Sequence, residues 1–184
     1  MLKLYGGSRS RASIVQWYLE ELEVSYEFVL LDMANKEHLA TDFLKINPFG
    51  KVPAIVDDDY TLWESGAILL YLAEKHGKMP SSITERNIIY QWVLFANSTL
   101  ATGLFVEASR DKETPRLLGT LCELLATNPY ILGHEFSVAD IAVGSILVYV
   151  PMMLPTDLSP YPQIKEYIQR MCDRPAWQRT FKNR

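Results

Sequence analysis

The 184-residue sequence is short of most features that mark a specialised chain. It has two cysteines, Cys122 and Cys172, in neither a C-x-x-C pair nor a zinc-ligand spacing. That excludes a disulfide framework and fits a reducing compartment. Nine glycines and ten prolines are too few for a collagen or a low-complexity linker. Basic residues are not in surplus: 18 Lys and Arg face 22 Asp and Glu, for a net charge of −4. A non-specific nucleic-acid binder needs the opposite balance, so none is expected here. No apolar run reaches the ~18–20 residues of a membrane helix. The longest candidate, residues 141–154, is too short and ends among Pro151 and Pro155. No signal peptide is expected either, because Met1–Tyr5 runs directly into Gly6 and Gly7. What is present is 48% hydrophobic and 22% charged residues, enough to offset ordering entropy with a core. These readings predict a cytoplasmic protein with no membrane or nucleic-acid partner, of one domain or two small ones.

The first third alternates between two periodicities. Leu2–Tyr5 is a short apolar run stopped by Gly6-Gly7, which reads as a strand and turn. Val15, Leu19 and Leu22 recur at helical spacing, so residues 11–22 read as a helix with one buried face. Tyr26–Leu31 reads as a second strand, parallel to the first through a right-handed crossover. A short helix over Glu37–Ile46, the turn Asn47-Pro48-Phe49-Gly50, a hairpin around Asp57-Asp58-Asp59 and a helix from Ser65 to His76 follow. After Gly77 the strand signal ends. Residues 78–82 read as a polar linker, and Ile83–Glu107, Thr114–Ala126, Ser137–Val150 and Pro162–Asp173 read as helices. The expected organisation is an α/β unit at 1–77 followed by an all-helical unit at 83–184.

The order β-α-β-α-β-β-α is that of the thioredoxin-like fold. Three local motifs then resemble the cytosolic glutathione transferase superfamily: Asn47-Pro48-Phe49-Gly50-Lys51-Val52-Pro53-Ala54-Ile55, Trp63-Glu64-Ser65-Gly66-Ala67-Ile68 and Ser137-Val138-Ala139-Asp140. The serine- and arginine-rich first loop is similar to that of the chi-class enzymes of cyanobacteria. The resemblance covers nearly the whole chain. It implies a cis peptide before Pro53, leaving the N–H and C=O of Val52 open at a sheet edge for the cysteinyl part of glutathione, which adds like an extra strand. It implies that the γ-glutamyl carboxylate sits at the helix start at Ser65, where free N–H groups and the helix dipole favour an anion. Glu64 would face the ligand's ammonium. Lys51 and His38 match positions that hold the glycine carboxylate or the peptide backbone in theta-like relatives. A surface role with no ligand is equally open for His38. Ser65 also serves as an ordinary N-cap.

If glutathione is the co-substrate, the first loop must activate its thiol. At a pKa of ~8.5 only about 3% is thiolate at pH 7, and lowering it by ~2 units takes roughly 2.7 kcal/mol. The thiolate is the nucleophile. A hydroxyl donor, a helix N-terminus and nearby cations supply stabilisation of that size together. The segment Tyr5-Gly6-Gly7-Ser8-Arg9-Ser10-Arg11 offers all three. Arg9 and Arg11 at a helix start oppose the dipole, at ~0.3–1 kcal/mol each, which suggests that positive potential is wanted there; the alternative is that both point into solvent and the cost is screened. Among the hydroxyls Ser10 ranks first and Tyr5 and Ser8 follow, and Ser10 is also a candidate N-cap. The proline usual in serine-class loops is absent.

Ser137 to Asp140 reads as a structural capping box. The aromatics Tyr90, Trp92, Phe95 and Phe105 lie on the helix that lines the electrophile pocket in the family. Cys122 and Cys172 read as inert. The function implied is detoxifying conjugation of glutathione to small hydrophobic electrophiles such as isothiocyanates or haloaromatics, by a homodimer using glutathione and no metal. The same fold also serves as a non-catalytic scaffold. Disulfide reduction ranks lowest, because residues 5–11 contain no cysteine.

Overall fold

A computed structural model describes residues 1–181. The chain divides into two compact units, one of residues 1–76 with the described residues from Ala176 on, the other spanning Gly77–Pro175.

The first unit is built on a four-stranded sheet: β1 (Lys3–Gly6), β2 (Glu27–Leu30), β3 (Ala54–Asp57) and β4 (Tyr60–Trp63), in the order β2-β1-β3-β4. β1 and β2 run parallel, as the strand–helix–strand pattern predicts; β3 is antiparallel to both β1 and β4. Alternation along β1 sorts its side chains. Leu4 and its partner Ile55 are fully buried. Tyr5 points to the other face, where its ring meets Phe43 of α2 (Thr41–Ile46) at 5.7 Å. Helices α1 (Ala12–Glu21) and α3 (Ser65–Lys75) pack against each other. They bury Val15, Leu19, Ile68, Leu69 and Leu72. Each such side chain contributes about 1.5–3 kcal/mol of transfer free energy. The expected helix over residues 37–46 is two pieces: a single 3-10 turn at Glu37–Leu39, then α2, separated by extended Ala40.

Helix α9 (Pro175–Phe181) returns to this unit from the chain's end. Arg179 Nε donates to Glu20 Oε2 at 2.8 Å and its Nη2 to the Glu20 carbonyl at 3.1 Å. The sequence reading has no helix there and places 176–184 with the helical domain; residues 182–184 lie outside the described residues. The helix was invisible to periodicity because it is short and opens on a proline.

The second unit contains α4 (Ile83–Phe95), a π-helical turn (Ala96–Leu100), α5 (Ala101–Phe105), α6 (Glu107–Leu125), α7 (Val138–Met153) and α8 (Pro162–Cys172). Helix α7 is its buried centre, with residues 138–148 all buried. Two prolines lie inside helices, where the sequence pattern predicts boundaries. Thr114-Pro115 reads as an N-cap followed by the first helical residue, yet α6 starts at Glu107 and holds Pro115 inside it. Burial of Leu117, Leu118, Leu121 and Leu125 outweighs the one lost backbone hydrogen bond. Likewise α7 continues through Pro151 to Met153. One helical stretch, Ile83–Phe105, runs 23 residues with a window of mean hydropathy 1.2. By length and composition alone it is long and apolar enough to cross a bilayer, although the sequence holds no uninterrupted apolar run of that length. Within this unit it packs on α6 and α7.

Candidate active site

The sheet topology gathers the sequence motifs at one end. β1 runs out at Gly6 into the loop of residues 7–11. β3 begins after Val52-Pro53, and β4 ends at Trp63 before Glu64. The pairs Tyr5↔Ala54 and Ala54↔Trp63 put these three ends side by side. The turn at Asn47–Gly50 joins them. Gly50 has φ of +59°, and a Cβ there would come within 3.0 Å of the His38 carbonyl, so only glycine lets the two backbones approach. Buried Asn47 braces the turn: its Nδ2 donates to the Lys51 carbonyl at 2.8 Å and its Oδ1 accepts from Phe49 N–H at 3.1 Å. The sequence reading passed over Asn47, although Asn before Pro-x-Gly is a recognisable side-chain-closed turn.

The Val52–Pro53 bond is cis. Among the described residues, neither the N–H nor the C=O of Val52 finds a hydrogen-bond partner. The expected location needs correcting. β3 is an interior strand, and Val52 lies just past the end of its ladder, not along a lateral sheet edge. The open backbone groups therefore lie at the end of the sheet, next in the chain to the start of β3. Lys51 is exposed at the same end. His38 lies in the 3-10 turn, half-buried, and its Nδ1 is buried with no hydrogen-bond partner among the described residues.

The start of α3 also differs in detail. Glu64, not Ser65, occupies the N-cap position, and no side chain caps the helix. Glu64 is exposed and has φ of +72°, a conformation that costs a non-glycine residue about 1–3 kcal/mol. No acidic side chain lies in the first turn. Ser65 is the first helical residue and is buried.

The loop before α1 is organised by Ser10. Its Oγ accepts from Gly7 N–H at 3.0 Å and Ala12 N–H at 3.3 Å, and donates to the Gly7 carbonyl at 3.0 Å. The hydroxyl proton is therefore already committed to the backbone. Arg11, not Ser10, takes the N-cap position of α1, with no capping side chain and no acid in the first turn. Arg9 and Arg11 are exposed and make no ion pair among the described residues. Ser8 is exposed and its hydroxyl makes no hydrogen bond among the described residues. It lines a cavity of about 570 Å³ with Leu30, Leu31, Asp32, Met33, Ala34 and Glu37. Tyr5, on the face of α2, is half-buried against Phe43.

The remaining sequence features have structural explanations. Ser137 and Asp140 form the capping box. Asp140 also accepts from Ile131 N–H at 2.8 Å and Tyr167 Oη at 3.0 Å. Burial pushes its carboxyl pKa up despite these bonds. Burial, then the nearby Asp173, pushes the Cys172 thiol up to about 11, so little of it is thiolate at neutral pH. Cys122 Sγ donates to Gln163 Oε1 at 2.8 Å. Among the four aromatics, Trp92 and Phe95 line a cavity of about 240 Å³ against α6. No cluster of three or more His, Cys, Asp or Glu that could hold a metal occurs among the described residues.

Known proteins match this architecture throughout. Residues 1–74 match the family model for the glutathione S-transferase N-terminal domain, and residues 106–175 that for the C-terminal domain. The disulfide-bond oxidoreductase YfcG of Escherichia coli K12 is 32% identical over 96% of this chain and 92% of its own length. Glutathione S-transferase GstB of the same organism is 32% identical over 96% of this chain and 95% of its own. A crystal structure of a glutathione transferase from Burkholderia graminis, with two glutathione molecules bound per subunit, superposes with a TM-score of 0.82. It is 28% identical and covers 97% of this chain and 86% of its own. The chain belongs to the glutathione S-transferase family and is an enzyme of that family, with a thioredoxin-like N-terminal domain and a helical C-terminal domain.

Proposed function

We propose that this enzyme binds glutathione at the end of the first unit's sheet, activates its thiol as thiolate and conjugates it to small apolar electrophiles. The observation that carries the proposal is the convergence of an unpaired Val52 backbone, an uncapped α3 start and an arginine-bearing loop at one sheet end. Val52 suits the cysteinyl amide of the tripeptide. The α3 start, with Ser65, suits the γ-glutamyl carboxylate, and exposed Glu64 its ammonium. Lys51 and His38 serve the glycine end. Arg9 and Arg11 raise the potential around the sulfur.

For the hydroxyl donor, the geometry favours a division of labour. Ser10 spends its proton on Gly7 and holds the loop, while Ser8 has a hydroxyl free to donate to sulfur. Tyr5 is the third candidate. The test is thiolate absorbance of bound glutathione against pH. Ser8→Ala is expected to raise the thiol pKa by about one unit, equivalent to ~1.4 kcal/mol. An unchanged pKa in the Ser8, Ser10 and Tyr5 variants alike would remove hydroxyl activation from the proposal. Retention on immobilised glutathione without turnover of any electrophile would instead favour a scaffold. The wider reading is of a cytoplasmic, homodimeric detoxification enzyme.

A second reading has its own support. YfcG is named a disulfide-bond oxidoreductase, and the Burkholderia structure holds two glutathiones per subunit. A second glutathione removes the need for a loop cysteine. One thiolate attacks the substrate disulfide, releasing one half as thiolate and leaving a mixed disulfide. The second displaces the remaining half and yields oxidised glutathione. Production of oxidised glutathione from a model disulfide, compared with conjugate from a haloaromatic, separates the two readings.

A further inference from the structure

We propose that Met33 is a positioning residue for the thiol-activating loop. This inference rests on the assignment of the loop at residues 7–11 to glutathione activation.

The side chain of Met33 lies directly on Gly7. A Cβ built on Gly7 would come 2.7 Å from Met33 Cγ and 3.3 Å from Sδ, so the thioether is seated against the backbone of that residue. Gly7 is the residue that clasps Ser10 in both directions, through its N–H and through its carbonyl. Met33 is thus packed against the residue whose N–H and carbonyl fix the serine loop, in the direction where Ser10 Cβ also lies, 3.8 Å from that Cβ position. It lines the same cavity as Ser8.

The turn that carries Met33 is itself held firmly. Asp32 Oδ1 accepts from the N–H groups of Ala34 and Asn35 at 2.9 and 3.0 Å, and its Oδ2 from Asn35 Nδ2 at 2.8 Å. Glu37 Oε2 accepts from Asp32 N–H at 2.7 Å. Leu31 N–H donates to the Gly6 carbonyl at 2.8 Å, which ties the turn to the end of β1. A rigid turn therefore presses a flexible, polarisable side chain onto the loop. Methionine suits that task because its unbranched thioether fills an irregular gap. The loop needs such a backstop, because glycine at 7 brings no side chain of its own to resist displacement. Met33 is 40% exposed, far more than core packing alone requires.

The experiment replaces Met33 by Ala and by Leu, which conserves volume. Three quantities are read: the pKa of bound glutathione, kcat separately from the KM for glutathione, and amide hydrogen exchange at Gly7 N–H. Met33→Ala is expected to speed Gly7 exchange, to raise the thiol pKa by several tenths of a unit and to lower kcat about threefold to tenfold, since misplacement of a supporting group acts on the reacting geometry. The KM for glutathione should stay within about twofold, because uniform binding is untouched. Met33→Leu should restore all three. The inference is overturned if Met33→Ala leaves Gly7 exchange and the thiol pKa unchanged while Ser8→Ala raises that pKa. It is also overturned if Met33→Ala only weakens glutathione binding with kcat intact. If Gly7 exchange responds but no loop variant, Ser8→Ala included, moves the thiol pKa, the fault lies in the assignment of thiol activation to this loop.

Discussion

The starts of α1 and α7 both lie beside a serine, and they end up with opposite electrical character. At α7, Ser137 and Asp140 close a reciprocal box, and the carboxylate lies where the helix dipole is positive. Every oxygen there has a partner, and Asp140 is fully buried. At α1, the serine is turned back onto Gly7, arginine takes the N-cap position, and the first turn has no acid. The first end is neutralised from within and sealed; the second is left positive and open to water. A helix start that the protein compensates itself is a structural joint. One that carries arginine and no acid keeps its positive potential, which is what the proposed thiolate site at the first loop requires.

The largest test of that contrast is Asp140→Ala. It strands buried donors on Ile131, Ser137 and Tyr167, so stability should fall by about 3–5 kcal/mol in urea unfolding. The pKa of bound glutathione in the folded fraction should not move; a shift would break the division between the two helix starts. Ser137→Ala is the milder version, expected to cost about 0.5–2 kcal/mol by the same measurement. Arg9→Gln and Arg11→Gln probe the open end. Each should relieve roughly 0.3–1 kcal/mol of dipole repulsion in α1. The same changes should raise the thiol pKa, so stability and activity are expected to move in opposite directions. Parallel losses of both would show that the arginines are structural.

The smallest expected effect sharpens the comparison through pH. Asp140 has a raised pKa, from burial, so its ionisation is harder in the folded state. Its stabilisation is complete below the unfolded value of about 3.9 and is lost as pH rises through the folded value. Asp57 behaves oppositely. Burial pushes its pKa up, but hydrogen bonds from Lys75 and Tyr71 outweigh that and hold it low. Its contribution is present above about pH 3.9 and is lost as pH falls through the folded value. Asp57→Asn should therefore flatten the decline in unfolding midpoint between neutral pH and pH 3. An equally steep decline in the variant would assign acid sensitivity elsewhere.

The same contrast separates what could be read in the sequence from what could not. Ser137 and Asp140 stand three residues apart and interact directly, so the box was legible as written. Val52-Pro53 and Glu64-Ser65 were legible as motifs and the hairpin between them as a pattern, but the pairing of Tyr5 with Ala54 that brings the first loop beside them is long-range and was not. The polarity of α1 was legible in Arg9 and Arg11. What Ser10 does with its proton was not, because Gly7 is an equally good acceptor and only loop geometry selects it. The N-cap role expected of Ser65 fell to Glu64 because a strained φ begins the helix one residue early. Met33 lies in a segment that carries no motif, and its partner is a glycine with no side chain to advertise contact. Asn47 lay in the open: its neighbours were read for proline and glycine alone.

The salt link of Arg179 to Glu20 spans 159 positions of the chain. A stave of the first unit is thus supplied from beyond the whole helical unit. During translation the sheet and its three helices emerge early, but the outer side of α1 stays without its closing helix until the ribosome has finished the entire intervening segment. Shortening the chain at Pro175 would leave all the strands intact and still deprive the amino-terminal half of its final piece.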